Sequence, residues 1–243
     1  MNNRTAIITG GAKRIGAAIT RELHYMGMDV IIHFNTSQTP ADQLARELNS
    51  LRPDSAWTIQ ADLREADKCS GLITSAMAIN SRLDVLINNA SAFFSVPLTE
   101  STDEDWHALI DINLKAPLFL SQAAATHLKA TRGCIINLTD IHANRPLKNH
   151  GLYSVSKAGL IMLTKSLALE LAPEVRVNAI SPGAIFWHEN MGEDEKNGIL
   201  QRIPMNSLGK AEDIAKAVNY LVDGTSYTTG EELVIDGGRS LVS

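Results

Sequence analysis

Short apolar runs alternate with longer amphipathic stretches along the whole chain. The runs Thr5–Thr9, Asp29–Phe34, Trp57–Gln60, Val85–Asn88, Cys134–Leu138, Val175–Ile180 and Glu232–Ile235 are of strand length and almost continuously hydrophobic. Between them, apolar positions recur at helical spacing over Ile15–Met26, Pro40–Leu51, Ala66–Asn80, Asp103–Ala130, Leu152–Leu171 and Ala211–Val222. Strands apolar on both sides, separated by helices, predict a parallel sheet covered on both faces. Right-handed crossovers then give an α/β, Rossmann-type doubly wound sheet, read as a single domain over residues 1–243. The stretch 183–198, GAIFWHENMGEDEKNG, breaks this rhythm with aromatics, acids and glycines directly after a strand. It reads as a loop covering a ligand, the alternative being an ordinary surface insertion. His188 and Glu189 within it are candidates to line a substrate mouth.

Composition narrows the class. The 243 residues carry 22 Lys plus Arg and 27 Asp plus Glu, for a net charge of −5. Such a chain, without a basic block, does not read as a nucleic-acid binder. No apolar run approaches the ~20 residues of a membrane span. Met1-Asn2-Asn3-Arg4 leads straight into the first strand without a leader-like apolar region, so a cytoplasmic protein is expected. Cys69 and Cys134 are too few for a disulfide framework and lack ligand spacing. No histidine is read as pairing with a carboxylate in metal geometry, so no metal is expected.

The first strand runs into Thr9-Gly10-Gly11-Ala12-Lys13-Arg14-Ile15-Gly16. Glycines at the first strand–helix turn let the backbone approach a pyrophosphate at a helix N-terminus. Arg14 stands where a middle glycine is usual. Its fixed charge suits a pyrophosphate, or an acceptor on a substrate beyond it. After the second strand come Asn35, Thr36 and Ser37, with no acid between Val30 and Pro40. A carboxylate there would favour the ribose hydroxyl of NADH and repel a 2′-phosphate, so its absence favours NADPH. Asp62, followed by Leu63 after the third strand, is placed to accept from an adenine or to cap a helix.

Tyr153 and Lys157 are four residues apart on one helical face. A free phenol, of pKa ~10, is a poor acid at neutral pH. A nearby ammonium is expected to lower that value and make a proton shuttle. Asn88-Asn89-Ala90-Ser91 ends the fourth strand, Asn113 sits unusually inside a predicted helix, and Pro182-Gly183 ends the sixth strand. All fall at the carboxyl edge of the sheet, where ligands bind in this architecture.

Taken together, TGGAKRIG, Asp62-Leu63, NNAS, Asn113, YSVSK, Ser181-Pro182-Gly183 and Asp236-Gly237-Gly238 resemble the short-chain dehydrogenases/reductases from end to end. The resemblance implies hydride transfer from a nicotinamide, with Tyr153 as acid/base and Lys157 holding the ribose and lowering the tyrosine pKa. Asn113 would anchor a water, and the chain would form a homotetramer through the helices near 103–130 and 152–171. Asp140 stands where this family usually has serine, Arg14 replaces a glycine, and NNAS is followed by Ala92-Phe93. These departures resemble the pteridine reductases, of the dihydromonapterin-reductase type. That resemblance implies a flat pterin or dihydrofolate-like substrate stacked on Phe93, with Ser91 and Arg14 at its edge and Asp140 beside Tyr153 as proton donors. Thr36 stands where pteridine reductases usually carry arginine. A 3-oxoacyl-(acyl-carrier-protein) reductase is the alternative within the enzyme class, and a non-catalytic dinucleotide sensor the alternative outside it.

Overall fold

The computed structural model describes residues 4–187 and 191–242. Seven parallel strands form one sheet: β1 (Thr5–Ile8), β2 (Asp29–Phe34), β3 (Ala56–Gln60), β4 (Val85–Asn88), β5 (Cys134–Leu138), β6 (Arg176–Pro182) and β7 (Glu232–Ile235). Their order across the sheet is β3-β2-β1-β4-β5-β6-β7. The chain leaves β1 toward β2 and later returns to its other side at β4, so a crevice opens beyond the ends of β1 and β4.

The described residues form eight helices, α1 (Arg14–Tyr25), α2 (Gln38–Leu51), α3 (Ala66–Ile79), α4 (Asp103–Ile110), α5 (Ala116–Thr131), α6 (Gly151–Leu171), α7 (Glu193–Leu200) and α8 (Ala211–Asn219), with α1, α2 and α8 on one face of the sheet and α3, α5 and α6 on the other. Strand periodicity divides the core. Ala6 and Ile8 of β1 join Ile19, Leu23, Leu44 and Ile214 under α1, α2 and α8. Ile7, one residue along, points the other way, to Leu72, Leu120 and Leu167 under α3, α5 and α6.

Three predicted elements differ. The helix expected over 103–130 is interrupted at Asp111–Lys115 by a π-turn that contains Asn113. Pro117 at the start of α5 cannot donate to the preceding turn, which suits a break there. The last helix ends at Asn219 and continues as a π-turn, Tyr220–Gly224. The segment 183–198 is not a loop throughout, because α7 begins at Glu193, after Gly192. Glu193, Asp194 and Glu195 in its first turn complement the helix dipole. His188 and Glu189 lie outside the described residues.

Candidate active site

The turn after β1 is held by side chains from β2 and β4. Thr9 donates through its hydroxyl to the Ile87 carbonyl and accepts from the Asn89 and Ala90 amides. The Asn89 amide donates to the Thr9 and Gly10 carbonyls at 2.8 and 3.1 Å. Gly10 has φ +60, and a Cβ on Gly16 would overlap the Gly10 carbonyl oxygen. Only glycine fits both positions, and they bring the backbone of the turn close to whatever lies above it. Lys13 precedes α1 without a side-chain cap, and no acid occupies the first helical turn. An uncapped helix start beside a glycine cradle, with no opposing carboxylate, fits a pyrophosphate.

His33 is the residue that the motifs missed. Its buried ring accepts from the Gly10 amide through Nδ1 at 3.2 Å and donates through Nε2 to the Ala61 carbonyl at 3.1 Å. Burial lowers its pKa to about 4, so the ring is neutral and one nitrogen stays an acceptor. The ring thereby ties the turn to the end of β3. A histidine at an otherwise apolar strand end was the available signal.

At the exit of β2, Asn35 and Thr36 are exposed, and Ser37 precedes α2 without a side-chain capping bond. The Asp62 carboxylate accepts from the Arg64 backbone amide and guanidinium. That pairing holds the Asp62 carboxyl below its ordinary pKa. Leu63 is in the core, so only its main chain is available to a ligand. The expectation that no histidine pairs with a carboxylate in metal geometry left out His107, which does sit between two carboxylates at helical spacing. Its ring lies 3.6 Å from Asp103 and 3.2 Å from Asp111, one turn away on each side. Among the described residues, no group of three potential ligands could hold a metal.

A cavity of about 730 Å³ continues from the glycine turn across the ends of β4, β5 and β6. Arg14, Ile15, Asn89, Ser91, Pro182 and Gly183 line it beside Phe93, Asp140, Tyr153 and Lys157. The Tyr153 hydroxyl donates to Asp140 Oδ2 at 2.8 Å. Asp140 Oδ1 accepts from the His142 amide, also at 2.8 Å, and so caps the short turn Ile141–Ala143. One carboxylate therefore both caps a turn and holds the phenol.

This arrangement reverses the expected tyrosine shift. Burial, and then the Asp140 charge, push the Tyr153 pKa above the ordinary value. Lys157 Nζ lies 5.7 Å from the Tyr153 ring centre and donates to the Leu138 carbonyl. Its own pKa is lowered by burial to about 8. The ammonium is too distant and too costly to bury to outweigh Asp140.

Asn113 is completely buried, and its side chain is fully engaged. Oδ1 accepts from the Ser91 hydroxyl and the Ala92 amide, while Nδ2 donates to the Ala92 carbonyl and Ser156 Oγ. The side chain fastens the 91–92 segment to α6, leaving no side-chain bond for an anchored water. Phe93 stacks on the His150 ring, with centroids 4.6 Å apart, and meets Tyr153 edge-on. One of its faces is thus already covered by protein. Arg14 begins α1 with φ +52, and its guanidinium lies 5.1 Å from the Phe186 ring centre. The 183–187 segment thereby closes over the turn.

Comparison with known proteins agrees with this geometry. The sequence model of a family described as enoyl-(acyl carrier protein) reductase matches residues 10–240. Glucose 1-dehydrogenase 2 of Bacillus subtilis is 33% identical over 99% of this chain and 96% of its own length. Pteridine reductase 1 of Leishmania tarentolae is 33% identical over 97% and 96%. A 3-oxoacyl-(acyl-carrier-protein) reductase of Rickettsia felis is 35% identical over 100% and 99%. These relatives differ in substrate at nearly equal identity. With the sheet, the glycine turn and the Tyr153–Lys157 pair all inside the matched span, the chain belongs to the short-chain dehydrogenase/reductase family of oxidoreductases.

Proposed function

We propose that this protein is an NADPH-dependent pteridine reductase, reducing a dihydropterin, pterin or dihydrofolate-like substrate. The observation that carries the reading is the Tyr153–Asp140 hydrogen bond at the cavity floor, with Arg14 and Phe93 at its walls. Carbonyl and pterin reduction each deliver one hydride to carbon and one proton to the neighbouring heteroatom. In a pterin that heteroatom is a ring nitrogen, and the carboxyl group behind the phenol gives the tyrosine a protonatable partner that can resupply its proton. A bound nicotinamide dinucleotide supplies the hydride, held by the turn from Gly10 to Gly16, the Asn89–Ala90–Ser91 segment and Lys157. A proton entering on Asp140 Oδ2 passes to Tyr153 Oη as that oxygen gives its own proton to the substrate. No free phenolate forms beside the carboxylate, so the raised tyrosine pKa is no obstacle. Arg14, pinned over Phe186, presents its guanidinium to the pterin edge, and the exposed half of Phe93 bounds the ring pocket. Ser91, held by Asn113, lies on the same wall.

NADPH is favoured because Asn35, Thr36 and Ser37 offer polar groups and no carboxylate to a 2′-phosphate. The absence of a fixed cation among these three residues makes the expected preference modest. Assembly is proposed as a homotetramer through α5 and α6, whose outer faces leave Leu118, Val155, Met162 and Leu169 exposed. No helix among the described residues is long and apolar enough to cross a membrane. The cytoplasm remains the proposed location.

The competing reading is a 3-oxoacyl thioester reductase, favoured by the 35% identity of the Rickettsia relative. Consumption of NADPH and of NADH with oxidised pterin, dihydropterin, dihydrofolate and 3-oxoacyl thioesters decides between them. Turnover with pterins and a higher kcat/KM for NADPH are expected. Turnover confined to the thioesters or ketones overturns the pteridine assignment, and a preference for NADH overturns the cofactor assignment.

A further inference from the structure

The cavity is cationic although the protein is not. Among the described residues, its wall carries Arg14, Lys148, Lys157, Arg202 and Arg239 against two acids, Asp140 and Glu195, in a chain of net charge −5. Two of the five have partners already, Arg14 against Phe186 and Lys157 at the Leu138 carbonyl, and Lys148 lies on an exposed turn at the rim. Arg202 and Arg239 are different. Neither takes part in an ion pair among the described residues.

The fold brings these two arginines onto the wall of one cavity. Arg202 follows α7 and donates through Nε to the Gly198 carbonyl. Arg239 opens the turn Arg239–Leu241, which is fastened from beneath by Asp236 accepting from the Gly238 and Ser240 amides. The Met205 amide donates to the Gly237 carbonyl and draws the two segments together. Arg239 is half-buried, and its pKa is lowered first by that burial and then by the Arg202 charge. Asp140 and Asp236 act on it only through space, and the Asp236 carboxylate is already used by the turn. Two like charges in a partly dry wall, with no contacting carboxylate among the described residues, are costly unless an anion binds between them.

We propose that Arg202 and Arg239 form a subsite for an anionic group, a carboxylate or a phosphate, on the part of the substrate remote from the reacting atoms. The inference rests on the pteridine reading for the scaffold that carries this group, but the subsite itself is read from the two arginines. A substrate whose side chain ends in a carboxylate or phosphate would thus be preferred over the same ring with a neutral side chain.

The test measures the ratio of kcat/KM between charged and neutral congeners on two scaffolds. The first compares dihydrofolate and a phosphorylated dihydropterin with a dihydropterin of neutral side chain. The second compares a 3-oxo acid with its neutral ester. Wild type is expected to favour a charged congener by about 10-fold, the scale of one charge-assisted hydrogen bond. The preference should fall toward unity in Arg239→Gln and in Arg202→Gln, chiefly through KM, and should weaken with added salt. Which charged congener is favoured separates a carboxylate from a phosphate ligand. Thermal unfolding of each variant shows that it is folded, and Arg202→Gln, on the exposed side of the pair, serves if Arg239→Gln is not. A charge preference seen only on the 3-oxo scaffold upholds the subsite and discards the pteridine reading. Absence of an arginine-dependent charge preference on both scaffolds overturns the subsite, even if pterins are reduced.

Discussion

At the scale of single residues, Asp140 decides most. Its two oxygens perform separable tasks, one capping the 141–143 turn and one holding the Tyr153 hydroxyl. Serine caps a turn about as well as aspartate. Asp140→Ser should therefore leave thermal stability within about 1 kcal/mol while pterin reduction falls about 10-fold or more, toward the ~10²-fold scale of a lost proton donor. Ketone reduction should persist or rise, since serine still donates to a carbonyl. Steady-state rates on both substrates beside a melting curve check this, and unchanged pterin turnover would reduce Asp140 to a cap. Lys157 offers a second test. Its folded pKa is lowered to about 8 by burial, below the unfolded ~10.4. Below pH 8 both states hold the proton and the folded state bears the full cost of a buried charge. Between about 8 and 10 only the unfolded state holds it, so stability rises with pH in that window. Urea unfolding at pH 7 and pH 10 should show wild type gaining on Lys157→Met across this range. A constant difference would mean that the ammonium is not desolvated. The Tyr153–Lys157 spacing was legible in the chain. The sign of the tyrosine shift was not, because it depends on Asp140 at 2.8 Å from the phenol, thirteen residues away.

At the scale of elements, the π-turn between α4 and α5 places Asn113 where four hydrogen bonds meet. The unusual asparagine pointed to this position, and the broken helix explains it: the extra residue in the turn aims the side chain at the 91–92 segment and α6. Asn113→Ala leaves the buried Ser156 hydroxyl, the partly buried Ala92 main chain and the Ser91 hydroxyl without their partner. It should lower stability by about 1–3 kcal/mol, the cost of unsatisfied buried groups. Substrate KM should rise with it, because Ser91 loses its tether. Chemical denaturation together with KM measurement checks both, and a change in kcat alone would point to a direct role in proton transfer. Helix α7 is the element that the sequence concealed. Its three acids, single glycine and single lysine carry no apolar stripe, because the helix packs on the cavity rim rather than in the core.

For the molecule as a whole, α6 buries one side under the sheet and leaves Val155, Met162 and Leu169, seven residues apart, outermost. Leu169 is 84% exposed. Such a stripe is a poor solvent face and a good packing face. Leu169→Glu combined with Met162→Glu should convert a four-chain assembly to smaller species, as read by light scattering. An unchanged mass in the double variant would move the interface elsewhere. The chain alone determined the seven strands, their parallel arrangement and the edge of the sheet where the motifs gather. Continuous apolar runs and helical periodicity are local signals, and crossover handedness leaves few topologies. Tertiary structure decided what each motif does there. It buried Asn113 among four partners, engaged Asp62 with Arg64, covered one face of Phe93 with His150 and recruited His33 beneath Gly10. It also drew Arg202 and Arg239, 37 positions apart in the chain, onto one wall. Hydrogen bonding, desolvation and charge act over a few ångströms in space, and sequence spacing carries no record of which distant residues come within that range.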